Sequence, residues 1–161
     1  MNRAELLDLA GKIERKMADI YRFFDRQFKD NESSSSLWAD MAAEEDAHAG
    51  FLDAKFKMLM ISPDSFGLPK VETDEIEECY NKLEDLKRDL LKNPPELKEA
   101  VSFALSMELE LVEKSYSRLI HIGDPTIKMI FDELTRGDRH MEQLVKVAKK
   151  LGVTISSQFQ T

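Results

Sequence analysis

AAEEDAHAG, residues 42–50, lies where a helix should be burying an apolar face. Trp38, Met41, Leu52 and Leu59 recur at helical spacing on either side of it, and Glu45 and His48 fall on the same stripe. An ordinary bundle helix puts Leu or Ala at such positions, because burying an unpaired carboxylate costs several kcal/mol. Two readings compete. Either the phase is wrong and these are surface charges, or the two side chains hold something.

The neighbouring segments repeat the pattern. Residues 3–28 read as one helix with the stripe Leu7, Ala10, Glu14, Met17, Tyr21, Phe24, Phe28. KDNESSSS follows as a short loop whose last serine caps a second helix over about 36–60. ISPDSFGLPK (61–70) is rich in helix breakers and reads as a loop. A shorter, charged helix over about 73–92 has one apolar face of Ile76, Tyr80, Leu83, Leu86 and Leu90. NPPE restarts the chain, with Pro95 suited to a first helical turn. The helix over about 96–121 carries Leu97, Val101, Ala104, Glu108, Leu111, Ser115 and Leu119. HIGDPT makes a tight turn into a last helix over about 126–151, with Ile130, Gly137, His140, Leu144, Val147 and Leu151 on its stripe. Gly152 ends it, and 153–161 read as a loosely held tail.

Four long helices in two antiparallel hairpins, joined by a long crossover that carries its own short helix, predict an all-α, ferritin-like four-helix bundle over residues 1–152. The 161 residues suffice for one such domain, and the low Gly and Pro content, 6 and 5, agrees with helices throughout. A net charge of -8 with no large basic stripe argues against nucleic acid as a partner. The single cysteine, Cys79, rules out an intrachain disulfide and any Cys-x-x-Cys metal knot, and fits a reducing compartment. No window has the apolar length of a membrane span, and the charged first residues lack a signal-peptide core, so a cytoplasmic protein is expected.

Depth separates the two readings of Glu45 and His48. Facing residues of an antiparallel hairpin are equidistant from its turn. The midpoint of Glu14 and Glu45 falls near residue 30, and that of Glu108 and His140 at residue 124, each inside a predicted turn. Both hairpins therefore bring polar groups to one level. Side chains three apart share a helix face, so Glu45 and His48 can point at one spot. Carboxylates and imidazoles from facing helices suit iron or manganese. Paired-metal bundles take one Glu from each of two helices and a Glu-x-x-His from each of the other two. This chain supplies five of those six groups: Glu14 and Glu108 as single carboxylates, Glu45 as a bridge, and His48 and His140 as one imidazole per metal. Glu44 is four before His48, but Glu45 fits the stripe better.

These residues resemble the rubrerythrin branch of the ferritin-like di-iron superfamily. The resemblance covers the four long helices. It rests on EEDAH in the second helix and on Glu14 followed seven residues later by Tyr21 in the first. It implies two irons per chain, an oxidoreductase acting on peroxide or oxygen, Tyr21 beside the metals, and a homodimer. Two departures stand out. Gly137, in TRGDRHMEQL, occupies the place of the second bridging Glu, and Glu133 and Asp138 point elsewhere. Three carboxylates set -3 against the +4 of two ferrous ions, so a looser pair, one ion, or none remains open, and manganese or zinc accepts the same donors. The rubredoxin domain of the family, with its four cysteines, has no counterpart here, so an electron donor must be external. The alternatives are a degenerate metal-binding or partner-binding bundle without turnover, and an iron oxidation or storage protein.

Several residues have plainer readings. Tyr21 on a core stripe also packs, with its hydroxyl seeking a partner. Met17, Met41 and Met107 are core filler, and Trp38 packs near the start of the second helix. His121 sits at a helix end, where a cation suits the dipole.

Overall fold

The computed structural model describes residues 2–32, 34, 36–61, 74–112, 125–134 and 140–154, with the backbone alone for Glu75, Glu110, Leu111, Val112 and His140. Every regular element among them is helical: α1 (Arg3–Gln27), α2 (Leu37–Ile61), α3 (Asp74–Lys92), α4 (Leu97–Ser106) running into a π-helical segment (Met107–Val112), α5 (Pro125–Leu134) and α6 (His140–Lys150). The expected loop at 62–70, most of the turn at 121–126, His121, Gly137 and the end of the tail lie outside the described residues. Among the described residues, no helix is long and apolar enough to cross a membrane.

Local chemistry sets the helix ends. Asn2 and Glu5 form a capping box: the Glu5 N–H donates to Asn2 Oδ1 at 2.9 Å and the Asn2 N–H to Glu5 Oε2 at 2.8 Å. Ser36 takes the position before α2, its carbonyl accepting from the Asp40 N–H. Pro95 stands before the cap of α4 rather than in its first turn. Glu96 is the cap, and its N–H donates to the Glu99 carboxylate at 2.9 Å. At the end of α6, Gly152 adopts φ 64°. Its N–H reaches the Lys149 carbonyl, and the Val153 N–H reaches that of Ala148, the paired bonds of a Schellman turn.

α1 and α2 pack along their length, with α3 against α1 and α6 against both α4 and α2. The α1 stripe is buried from Leu7 to Phe24, and that of α2 from Trp38 to Leu59 save for a half-buried His48. α3 contributes Ile76, Cys79, Leu83 and Leu90 to the same core. Charges tie its outer side to α1: Lys16 pairs with Glu84 and passes over the Tyr80 ring, and Lys87 meets Asp19 at 2.5 Å.

One element departs from the expected continuous helix over 96–121. From Met107 the helix begun by α4 is π-helical for six residues. A π turn holds one residue more per hydrogen-bonded ring than an α turn, so it widens the helix and rotates the side chains that follow. Met107 and Glu108 are both buried here. The carboxylate is thus turned inward at a point where the backbone is already irregular.

Candidate metal centre

Neighbouring helices bring the polar groups together. Glu14 from α1 and Glu45 and His48 from α2 each offer one ligand atom, and the three atoms lie within 4.8 Å of one another. His48 Nδ1 is 3.1 Å from Glu45 Oε2 and 3.6 Å from Glu14 Oε2. Glu14 and Glu45 are each 2% exposed, so neither is a surface charge. Glu44, only half-buried, does not join the group. From the π-helical segment comes Glu108, 9% exposed, whose Oε1 accepts a 2.5 Å hydrogen bond from the Tyr21 hydroxyl.

Burial and crowding set the charge state. Burial pushes the Glu45 carboxyl well above the ordinary glutamate value, and repulsion from Glu108 and Glu14 pushes it further. The bond to His48 opposes the shift, and a hydrogen bond shared with Glu14 favours the protonated form. Tyr21, fully buried, is also pushed up, first by desolvation and then by the charge of Glu108. Its phenol is therefore a neutral donor at physiological pH. Cations on the outer face of α1 are committed elsewhere: Arg15 to Asp53 at 3.0 Å, Lys16 to Glu84, and Arg22 to Asp19 and Asp46.

Three carboxylates and an imidazole turned into a core form an expensive arrangement for a metal-free protein. The same donors suit a hard or borderline divalent cation, whose charge offsets their repulsion. The residues present therefore fit iron. Glu14, Glu45 and His48 are near enough to share one ion, and Glu108 is held by the Tyr21 hydroxyl bond.

The structure leaves part of the sequence-derived set open. His140 is the first residue of α6, but its side chain is not among those described, and neither Gly137 nor Asp138 is. Glu133 is exposed and pairs with Lys55 at 3.0 Å, so it is committed to a surface ion pair.

Two features escaped sequence reasoning. The hydrogen bond from Tyr21 to Glu108 joins residues 87 apart, and no spacing rule links them. Tyr21 also stacks on Trp38, ring centroids 6.2 Å apart and planes at 26°. The available signal was that Tyr21 and Trp38 lie on facing stripes of one hairpin, at similar distances from its turn.

Curated proteins and solved structures return no match to the chain. A family model for rubrerythrin matches residues 5–148. That match runs from the first turn of α1 to the last turn of α6, and on it the chain belongs to the rubrerythrin family.

Proposed function

We propose that this protein is a di-iron oxidoreductase that reduces hydrogen peroxide or dioxygen. One observation carries the reading: two nearly inaccessible carboxylates and an imidazole converge within 4.8 Å in the middle of a packed hairpin. Bound iron would supply electrons to the oxidant. Glu14, Glu45 and His48 would hold one ion, and Glu108 with His140 would complete a second. Tyr21 would orient Glu108 through its hydroxyl bond, and its ring, with Trp38 behind it, would keep water from that side. Glu45, raised in proton affinity, would give up its proton as a metal enters.

Electrons for repeated turnover would come from a separate donor, because the one cysteine of this chain, Cys79, is buried in the α3 core face and no cluster of thiolates is available. A cytoplasmic homodimer is the assembly we expect. The decisive measurement is ferrous iron bound per chain after anaerobic loading, followed by the stoichiometry of iron oxidised per peroxide. Close to two irons per chain, oxidised by one peroxide, supports the reading. Binding below one per chain sinks the paired site.

Gly137 motivates a second reading, a bundle that binds metal without turnover. Gly137→Glu distinguishes the two. Under the enzyme reading, the added carboxylate tightens the second iron about 10-fold or more, equivalent to ~1.4 kcal/mol, and modifies an existing activity. Peroxidase activity that arises only in the variant would favour the second reading.

A further inference from the structure

Beside the site, an aromatic contact leads away from the carboxylates. Trp38 stacks on Tyr21 and meets Phe24 at 4.9 Å and half-buried Phe28 at 6.4 Å between ring centroids. Trp38 is 1% exposed, and its buried indole Nε1 has no hydrogen-bond partner among the described residues. Buried tryptophans usually satisfy that N–H. Packing alone gives no reason to strand it here, since a purely apolar ring would fill space beside Phe24 and Phe28 without a lost bond. What distinguishes Trp and Tyr from Phe is the ease with which their rings lose one electron. These two rings are in contact, and one of them is hydrogen-bonded to a carboxylate of the site.

We propose that Trp38 is an electron reserve for the site, giving up one electron through Tyr21 when peroxide meets a centre that holds a single ferrous ion. This rests on the peroxide-reducing reading above. The sequence makes the singly loaded state relevant, because Gly137 stands where the family pattern has its second bridging Glu. Peroxide needs two electrons and two protons to become two waters. A ferrous pair supplies both electrons, and a lone ferrous ion supplies one. The balanced step is H2O2 + Fe2+ + Trp38 + 2 H+ giving 2 H2O + Fe3+ + the Trp38 radical cation. The O–O bond breaks, and iron and the indole each lose one electron. Both protons come from solvent. The Nε1 proton stays on the indole because no acceptor among the described residues faces it. Tyr21, hydrogen-bonded to Glu108 and stacked on Trp38, is the contact through which the electron passes.

The chain contains a single tryptophan, which makes the test direct. Metal-free protein is loaded anaerobically with one equivalent of ferrous iron, mixed with hydrogen peroxide and freeze-quenched for electron paramagnetic resonance. The expected result is an organic radical whose hyperfine structure narrows when the protein is grown on ring-deuterated tryptophan. Its optical band should be that of the protonated indole radical. Trp38→Phe should lose the signal, and Tyr21→Phe should weaken it while keeping its tryptophan character. The labelled native chain gives the answer even where Trp38→Phe fails to fold. Prompt iron oxidation with no label-sensitive radical overturns the reserve and leaves the peroxide reading standing. Ferrous iron that peroxide does not oxidise overturns both.

Discussion

Glu45 faces opposed requirements with and without metal. As a ligand it must be ionised. In the metal-free core, burial and the charges of Glu108 and Glu14 favour its protonated form. A carboxyl whose folded pKa lies above the ordinary 4.5 contributes stability that is fully present below that pH and is lost as pH rises through the folded value. Metal-free protein should therefore lose stability from about pH 4.5 upward relative to Glu45→Gln, which cannot ionise. Near pH 8 the variant should be more stable by about 1–3 kcal/mol, read from urea midpoints at several pH values. A difference that does not change with pH would show that Glu45 does not titrate in this way. Metal binding has the opposite pH sense, because protons compete with the ion for the same oxygen. Tyr21 gives a second test at this scale. Its hydroxyl donates to a buried carboxylate, a bond worth about 1.5–3 kcal/mol. Tyr21→Phe should destabilise the metal-free protein by that amount in denaturant unfolding, because Glu108 is left without its 2.5 Å donor. An unchanged midpoint would mean that Glu108 relaxes toward solvent and is not held inward by the phenol.

Among the elements, α2 shows that apolar patterning can be interrupted by function without losing its phase. Glu45 sits in the buried stripe as its spacing requires, while Gly50, two residues after His48, faces open space. A Cβ at Gly50 would meet nothing within 4 Å among the described residues, and Gly in a helix interior costs about 1 kcal/mol relative to Ala. Gly50→Ala should thus stabilise the protein by about 0.5–1 kcal/mol without changing iron binding. The same change at Gly152 should do the reverse, costing about 1 kcal/mol or more, because φ 64° is strained for any Cβ. Thermal and urea unfolding of the two variants checks both signs together. The helices and their phase were legible because Leu, Met and aromatic residues mark every third or fourth position. Glu14, Glu45 and His48 were legible because they break that code at matching distances from one turn. The π-helical segment was not. MELELV fits an α stripe equally well, and the extra residue is a choice made by tertiary packing. Pro95 misled by its fixed φ, which suits the residue before a cap as well as the first turn.

At the scale of the whole molecule, the candidate centre draws on both halves of the chain. Glu14 and the Glu45–His48 pair come from α1 and α2, and Glu108, hydrogen-bonded to Tyr21, comes from the π-helical segment after α4. Within the first hairpin, α1 and α2 are held by their packed stripes and by salt bridges such as Arg15–Asp53. At the level of the carboxylates like charges repel once Glu45 is ionised, and a cation there would turn that repulsion into a cross-link. Iron loading should consequently act on global stability and not only on activity. A ligand bound to the folded state alone stabilises it by about 2.7 kcal/mol at a concentration 100 times its dissociation constant. For a chain of this size each kcal/mol shifts the thermal midpoint by roughly 2–4 °C, so loaded and chelator-treated protein should differ by roughly 5–10 °C in calorimetry. His48→Ala should retain its fold, because that side chain is half-buried and makes no part of the apolar core, yet lose most of the difference. A midpoint indifferent to chelation in the parent protein would mean that the two halves are joined by packing alone. The buried carboxylates would then need an explanation other than metal.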